Sequence, residues 1–281
     1  MINILNKSNF VFKDQLNKYE GKVRDVYTLN NNILVMIASD RISAFDVIMP
    51  KGITYKGQIL NQIAVEMLNK TNDIVPNWLI SNPDPNVSIG KKCNPIKVEM
   101  VVRGYLSGHA FREYNSGKRE ICGNKIQNGL KENDKFKFPI ITPTTKADQG
   151  LHDQDINPTD IIKQKLLSKE DYDKIYEISL SLYKRGSEIA NKQGLILVDT
   201  KYEFGYDQNG TITLIDEIHT PDSSRYFYFD SYEELQEKGL KQKQLSKEFF
   251  REWLMLNNFR GLQNQLIPEI NEDVISMVSK R

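Results

Sequence analysis

The spacing of apolar and polar residues predicts strands early in the chain and helices late in it. Alternating apolar positions in residues 19–40 predict two antiparallel strands around the turn Asn30–Asn32. In residues 58–70 the apolar side chains recur with helical spacing and share one face. An apolar, β-branched strand is predicted at 96–102. Strands first and helices later favour an α+β fold with a β-rich N-terminal lobe.

The second half of the chain begins with a loop-rich stretch and continues with a well-marked helix. Glycine and proline recur through residues 115–160, and loops of that length in a folded domain usually carry function. A helix is predicted from the N-cap Ser168 to Gly194, a residue type that commonly follows a helix C-terminus. A hairpin is predicted at 195–220, and helices with charged outer faces at 231–281.

Composition narrows the class of protein. The 281 residues, 39% of them hydrophobic, suffice for one large domain or two coupled lobes. A net charge of +1 gives no general attraction to nucleic acid or membrane. Cys93 and Cys122 have no metal-ligand spacing and indicate free thiols in a reducing compartment. Since neither a secretory signal nor a membrane-spanning run is recognisable, we expect a cytoplasmic protein.

The hairpin carries the clearest candidate chemistry. Segments 194–205 and 211–220 flank Asn209–Gly210, a typical two-residue hairpin loop. That loop would place Glu203 directly opposite Asp216, with Lys201 on the same face. Two carboxylates so close share a proton or hold a cation such as Mg²⁺, and a neighbouring lysine suits a phosphate. The alternative is a solvated face with a Lys–Glu pair.

A glycine-containing segment near the N-terminus offers a second phosphate contact. Gly21, Lys22 and Arg24 are predicted on one strand, where a missing side chain lets the backbone approach phosphates. The chain contains neither GxxxxGK[ST] nor GxGxxG, which argues against a P-loop enzyme and a dinucleotide-binding Rossmann unit. The alternative is an ordinary amphipathic strand.

Four polar loops supply further candidates, and their mixture of charges suits substrates that carry phosphate and carboxylate. The three histidines lack zinc-site spacing, and no GxSxG motif indicates a serine hydrolase. The loops are SDRISAFD (39–46), VVRGYLSGHAFREY (101–114), TTKADQGLHDQDI (144–156) and PDSSRYF (221–227).

Together these motifs resemble the SAICAR synthetase (phosphoribosylaminoimidazole-succinocarboxamide synthase) family. The resemblance rests on YEGKVRDVY, SDRISAFDVIMPKGI, VEMVVRGYLSG, LILVDTKYEFG and IDEIHTPDSSRYF. It implies the ATP-dependent joining of L-aspartate to carboxyaminoimidazole ribonucleotide (CAIR) in purine biosynthesis, with Mg²⁺ as cofactor. The implied fold is a kinase- or ATP-grasp-like β-rich ATP-binding lobe over residues 1–100. An α/β substrate and metal lobe with C-terminal helices would cover residues 101–281.

The resemblance also implies a role for each candidate residue. The ATP-binding set comprises Gly21, Lys22 and Arg24 over the phosphates and Lys97, Glu99 and Met100 on the adenine side. Mg²⁺ would be held by Glu203 and Asp216, with Lys201 acting on the phosphate. CAIR and aspartate would be bound by Asp40, Arg41, Ser43, Asp46, Arg103, Ser107, His109, Lys146 and Arg225. The candidates for accepting a proton from the aspartate amine are His152 and Asp153.

The chain departs from the family pattern in two places, and other functions remain open. His109 stands where many members have serine, and GLHDQDI replaces an acidic GEHDE-like run. One alternative is an enzyme of the same fold that phosphorylates another small molecule. Another is a nucleotide-sensing protein without catalysis. The sequence leaves a monomer and a homodimer open.

Overall fold

The computed structural model describes residues 4–45, 47–146 and 154–280. Five of its early strands form an antiparallel sheet in the order β1-β2-β3-β7-β6, and β4 pairs with β5. Helix α1 (Lys56–Lys70) packs against this sheet. The strands are β1 (Gln15–Glu20), β2 (Arg24–Leu29), β3 (Ile33–Ala38), β4 (Ser43–Ala44), β5 (Val47–Ile48), β6 (Leu79–Asp84) and β7 (Val87–Lys91).

The predicted single strand through Gly21 is wrong. β1 and β2 are separate antiparallel strands, with Glu20 opposite Asp25. The residues between them form a tight turn, closed by the Gly21 amide, which donates to the Arg24 carbonyl at 2.8 Å. The turn predicted at Asn30–Asn32 is confirmed, since these residues form a short 3-10 turn between β2 and β3. Lys22 therefore lies on a turn rather than on a strand face.

A second antiparallel sheet contains seven of the described strands. Its main path is β11-β8-β13-β15-β16, while β12 pairs with β8 and β14 with β13. The strands of this half are β8 (Asn94–Tyr105), the hairpin β9 (Glu120–Ile121) and β10 (Asn124–Lys125), β11 (Lys135–Ile141), β12 (Thr144–Thr145), β13 (Leu195–Tyr206), β14 (Ile212–Ile215), β15 (Ser224–Tyr228) and β16 (Gln244–Leu245). β11 lies inside the stretch that was predicted to be loop-rich.

The long helix of this half matches its sequence prediction closely. α4 (Lys169–Lys192) begins after Ser168, whose hydroxyl accepts from the Asp171 amide at 3.0 Å. It ends before Gly194, whose φ of 69° is left-handed. The Tyr183 hydroxyl of α4 donates to the Leu197 carbonyl at 2.6 Å and joins the helix to the sheet. The other helices of this half are α2 (Gly108–Asn115), α3 (Pro158–Lys163), α5 (Phe229–Glu237), α6 (Glu248–Leu256) and α7 (Glu272–Ser279).

The two C-terminal helices pack on a segment from the first sixty residues. Phe250 and Leu254 of α6 and Val274 of α7 share a buried cluster with Ile42 and Ile53. Helices in 231–281 are thus confirmed, and their packing partner lies in the region predicted as the N-terminal lobe. The two-lobe division stays a prediction. The sheets change between residues 91 and 94, so the predicted boundary at residue 100 falls inside β8. No helix in the described ranges is long and apolar enough to cross a membrane.

Candidate active site

A cleft of about 930 Å³ is lined by residues of both large sheets and of the start of α6. The first sheet contributes the Gly21 turn and the apolar side chains of β2 and β3. The second sheet contributes charged residues of β8 and β13. Most of the residues predicted from the sequence meet here. These are Gly21, Lys22, Arg24, Ser43, Glu99, Arg103, His109, Lys146, Lys201, Glu203, Asp216 and Arg225.

The predicted register of the acidic hairpin is wrong by one residue. Glu203 pairs with Ile215, and Tyr206 pairs with Ile212 at the end of the ladder. The loop is longer than two residues because the Asp207 carboxylate accepts from the amides of Asn209 and Thr211, at 2.9 Å each. This Asx-type closure competes with the two-residue loop and shifts the pairing. Asp216 therefore follows β14 instead of facing Glu203 across the ladder.

Glu203 instead lies opposite another glutamate, on the neighbouring strand β8. Its partner there is Glu99, and Lys201 Nζ donates to Glu99 at 2.9 Å and to Glu203 at 2.7 Å. Lys146 also forms an ion pair with Glu203. We call Glu99, Lys146, Lys201 and Glu203 the acid–lysine cluster. Like charges opposite each other destabilise a sheet, so the two lysines stabilise this pairing.

The two glutamates of the acid–lysine cluster have unequal proton affinities. Burial, together with the charge of Glu203, raises the pKa of Glu99 to about 7 in spite of Lys201. Burial also opposes ionisation of Glu203, but Lys201 and Lys146 outweigh it and hold the pKa of Glu203 well below its usual range. At neutral pH Glu203 is therefore the permanently ionised member, and it can act as a cation ligand.

Asp216 is held in the cleft by Arg24, which directly follows the Gly21 turn. Arg24 Nη1 donates to Asp216 and Nη2 to Glu217, at 2.6 Å each. The Trp78 indole donates to the Asp216 carbonyl at 2.9 Å and orients this strand end. Burial and the charges of Glu203 and Glu217 raise the pKa of Asp216 despite Arg24. A bound cation would relieve this repulsion.

Two arginines, Arg103 buried and Arg225 partly buried, form another part of the cleft. Arg103 donates to Thr142 Oγ1 at 2.8 Å and faces Asp199 at 3.3 Å. Arg225 lies over Gly108, where an added Cβ would come within 2.5 Å of Nη2. Since Gly108 also has a φ of 56°, a glycine at this position satisfies both the close contact and the backbone conformation. The result is a site with two guanidinium groups, suited to a phosphate or carboxylate.

His109 stands at the first turn of α2 on the wall of the same cleft. Its Nε2 atom lies 2.8 Å from Asp155 Oδ2. The hydrogen bond from His109 lowers the pKa of Asp155. This pairing fixes one ring nitrogen of His109 at the cleft wall.

Five predicted residues lie outside the walls of the cleft. Asp40 is buried and accepts from the amides of Leu5 and Gly57, so it caps the start of α1. Arg41 donates to the Gly21 carbonyl at 2.9 Å and to Asp25 at 2.8 Å, and it thereby fixes the Gly21 turn. Asp40 and Arg41 therefore stabilise the start of α1 and the Gly21 turn and do not line the cleft themselves.

The other three outlying residues are held by the second half of the chain. Ser107 is fully buried and donates to Asn133 at 2.7 Å. The Met100 side chain belongs to the main core. The Lys97 side chain is exposed, and its carbonyl accepts from the Lys146 amide at 3.1 Å. Asp46, His152 and Asp153 lie outside the described residues, so their predicted roles stay predictions.

The structure also brings in residues that the motifs did not single out. Apolar side chains form a slot beside the Gly21 turn, and charged residues arrive from the loop after β14 and from α6. Most of them carry no local signal, because they belong to segments that read as ordinary strands or as a charged helix face. Glu217 and Asp222 lie within the motifs quoted above, where neighbouring residues were the candidates. The slot is lined by Val26, Leu34, Met36, Trp78 and Ile215, and the added charges are Glu217, Asp222, Lys247, Glu248 and Arg251.

Comparison with known proteins identifies the group to which this site belongs. The sequence model of the SAICAR synthetase family matches residues 17–266. The chain is 58% identical to the phosphoribosylaminoimidazole-succinocarboxamide synthase of Flavobacterium psychrophilum, covering 100% of this chain and 89% of that one. The chain belongs to the SAICAR synthetase family. The synthase of Bacteroides thetaiotaomicron is also 58% identical, over 99% of this chain and 88% of its own.

Solved structures of SAICAR synthetases share the fold. A SAICAR synthase superposes with a TM-score of 0.79 at 30% identity, covering 96% of this chain and 95% of the other. The Saccharomyces cerevisiae enzyme complexed with SAICAR gives 0.77 at 30% identity, over 95% and 91%. A type-2 SAICAR synthetase in complex with ADP gives 0.69 at 26% identity, over 90% and 100%. The predicted family, α+β fold class and ATP-dependent ligase activity in purine biosynthesis are thereby confirmed.

Proposed function

We propose that the cleft binds Mg·ATP, CAIR and L-aspartate together and that its charged residues carry out the ligation. The observation that carries this proposal is the joint presence of the acid–lysine cluster, Arg24 with Asp216, and the pair Arg103 and Arg225 in one cleft. Three anionic substrates have to meet in such a reaction, and dense positive charge offsets their repulsion.

The nucleotide is placed between the apolar slot and the Gly21 turn. The slot suits a flat purine ring, because Val26, Leu34 and Met36 offer apolar faces beside Trp78. The Gly21 turn lines the same cleft, with Lys22 on the turn and Arg24 immediately after it. A turn with a glycine lets phosphates approach the backbone closely. This placement puts the γ-phosphate next to Asp216 and Lys201.

Mg²⁺ is assigned to Glu203 and Asp216. Glu203 is buried and Asp216 is partly buried on the cleft wall, and the raised pKa of Asp216 reflects burial together with repulsion by Glu203 and Glu217 that a cation would relieve. Hard oxygen ligands of this kind, completed by phosphate oxygens, match the preference of Mg²⁺. When bound, the ion would neutralise charge on the transferring phosphoryl group. Lys146 and Lys201 now pair with Glu203, and they would turn toward the phosphates.

The proposed reaction has two steps. A carboxylate oxygen of CAIR attacks the γ-phosphorus of ATP, and ADP leaves, which yields an acyl phosphate. The amine of aspartate then attacks the acyl carbon, phosphate leaves, and the amine proton passes to a base. Lys201 and Arg24 stabilise the charge that develops on the phosphoryl group. Arg103, Arg225 and His109 hold CAIR, and His152 or Asp153 is proposed as the proton acceptor.

The test of this proposal is the release of ADP by the purified protein. ADP should appear only when Mg²⁺, ATP, CAIR and aspartate are all present, with stoichiometric formation of SAICAR. Aspartate-independent ADP release would favour a kinase acting on another small molecule. The absence of any turnover would favour a nucleotide sensor. In cell fractions we expect the activity in the cytoplasm.

Glu203→Gln should abolish most of the turnover. Replacing the permanently ionised carboxylate removes a proposed metal ligand, so we expect kcat to fall by at least about 100-fold, as for other preorganised electrostatic groups. Glu170→Gln, at an exposed position in the first turn of α4, is the matched control and should retain full activity. Circular dichroism spectra of both variants should match the wild type. Full activity in the Glu203 variant would refute the metal role.

A further inference from the structure

The segment before β6 joins the two large sheets beside the cleft. The Leu214 amide of β14 donates to the Pro76 carbonyl at 2.9 Å, and the Trp78 amide donates to the Leu214 carbonyl at 3.0 Å. The Trp78 carbonyl in turn accepts from the Lys91 amide of β7 at 2.7 Å. Backbone hydrogen bonds therefore fix Trp78 between a strand of the first sheet and the strand that ends next to Asp216.

The Trp78 ring is packed tightly against β7. Trp78 is 4% exposed, and an added Cβ at Gly90 of β7 would come within 2.1 Å of its ring atom Cε3. A residue without a side chain is therefore needed at position 90 to leave room for the indole. Trp78 also lines the cleft at the apolar slot. One rigidly placed ring thus forms part of the wall against which the purine is proposed to lie.

Asp216 has a backbone conformation that residues other than glycine seldom adopt. Its φ of 62° lies in the left-handed region, where a residue with a side chain persists only if its surroundings hold the backbone. The Trp78 indole Nε1 donates to the Asp216 carbonyl at 2.9 Å, and Arg24 donates to the Asp216 carboxylate at 2.6 Å. Since the backbone conformation sets the direction of the side chain, the indole contact helps to aim this carboxylate into the cleft.

We propose that Trp78 is a positioning residue for Mg²⁺, an inference that rests on the proposed function. Its ring forms a wall of the slot, and its N–H separately holds the Asp216 peptide in the conformation that presents the carboxylate to the ion. Without this N–H, Asp216 would relax toward an ordinary backbone conformation, and binding of the ion would have to restore the strained one. Trp78 therefore acts on the ion through Asp216.

Trp78→Phe separates the two roles, because phenylalanine keeps an aromatic wall and removes the N–H. Calorimetric titration should show the Kd for Mg·ADP raised at least about fivefold, with the Kd for ADP in EDTA within about twofold of the wild type. In the ligation assay, the Mg²⁺ concentration that gives half the maximal rate should rise, and the KM for aspartate should not. A merely structural defect would weaken ADP binding equally with and without Mg²⁺.

Trp253→Phe is the matched control, since it makes the same change at the other tryptophan of the chain, which does not line the cleft. It should leave both Kd values unchanged. A double-mutant cycle tests the route through Asp216: in an Asp216→Asn background, Trp78→Phe should have little further effect on the Kd for Mg·ADP.

The Trp253→Phe protein also gives a measurement that leaves Trp78 in place. Trp78 is then the sole tryptophan, so its fluorescence reports on the indole that is bonded to Asp216. Addition of Mg²⁺ to the ADP-bound protein should change this fluorescence, and Asp216→Asn in the same protein should abolish the change.

Three results would overturn the inference. The first is an unchanged Kd for Mg·ADP in a folded Trp78→Phe protein, and the second is an equal effect of Trp78→Phe with and without the Asp216 carboxylate. The third, which decides the matter even if Trp78→Phe does not fold, is Trp78 fluorescence that does not respond to Mg²⁺. A wild-type protein that binds Mg·ADP but releases no ADP with all substrates present would instead refute the proposed ligation and leave the role of Trp78 in ion binding intact.

Discussion

At the scale of single residues, the chemistry of the site depends on which charges face each other. Lys201 stands between Glu99 and Glu203, and the two glutamates come from different strands. The residue types were recognisable from the sequence, because LVDTKYEFG and IDEIHT carry acids and a lysine in strand-like runs. The partner of Glu203 was not, since Glu99 lies about a hundred positions away in the chain.

A buried histidine gives a prediction at this scale. His219 is 1% exposed, and its Nε2 atom lies 2.6 Å from the Tyr202 hydroxyl. Burial lowers the pKa of His219 to about 3. The folded protein keeps it neutral, whereas an unfolded histidine takes up a proton below about pH 6.5. Its contribution to stability is therefore complete above that pH and is lost as the pH falls toward 3.

The wild-type protein should consequently lose stability in acid faster than His219→Gln. The difference in unfolding free energy between them should change by up to about 1.4 kcal/mol per pH unit below pH 6.5. Urea unfolding at pH 7.5, 6 and 5 measures this difference in unfolding free energy. Glutamine is the chosen replacement because its side chain can still form a hydrogen bond with Tyr202. Parallel pH profiles for the two proteins would contradict this account.

At the scale of elements, close packing of α4 on the site's sheet explains a glycine inside a helix. Gly186 lies in the middle of α4, where glycine is otherwise unfavourable. A Cβ at this position would come within 2.5 Å of the His219 ring. The helix thus packs directly against the segment that follows Asp216.

Gly186→Ala should therefore destabilise the protein although alanine favours helices. We expect overpacking to cost about 1–3 kcal/mol, of which helix propensity offsets about 1 kcal/mol, so the net loss should reach up to about 2 kcal/mol. Ser181→Ala, at an exposed position of the same helix, should stay within about 0.5 kcal/mol of the wild type. Thermal and urea unfolding of the two variants provide the comparison, and a stabilised Gly186 variant would show that the ring can move aside.

At the scale of the whole molecule, the C-terminal helices link the beginning of the chain to the cleft. α6 packs through Phe250 and Leu254 on residues near Ile42 and Ile53 and carries Arg251 into the cleft. Folding of this distant pairing is therefore a condition for the complete site.

Phe250→Ala tests this link. Truncation of a fully buried phenylalanine should cost about 3–5 kcal/mol, and loosening of α6, whose Arg251 lines the cleft, should also lower the kcat/KM of the ligation. Leu256→Ala changes an 83% exposed side chain of the same helix and should stay within about 0.5 kcal/mol. Equal stabilities for the two variants, or an unchanged kcat/KM at the reduced stability of the Phe250 variant, would show that the packing of α6 does not affect the site.

The sequence by itself determined the features that depend on short-range patterns. Helices α1 and α4, the caps at Ser168 and Gly194, the turn at Asn30–Asn32 and the family motifs follow from periodicity, local hydrogen bonding and residue type. These are properties of a few neighbouring residues, so a single sequence shows them.

Only the tertiary structure decided the register of the hairpin, the neighbours of Glu203 and the charges supplied by α6. The Asp207 carboxylate accepts from the amides of Asn209 and Thr211 and lengthens the loop, and the alternation of apolar and polar residues does not show this choice of loop. The pairing of Glu99 with Glu203 and the docking of α6 on the segment near Ile42 are contacts between residues far apart in the chain. Their positions follow from how sheets and helices pack together, and that information lies in the whole chain.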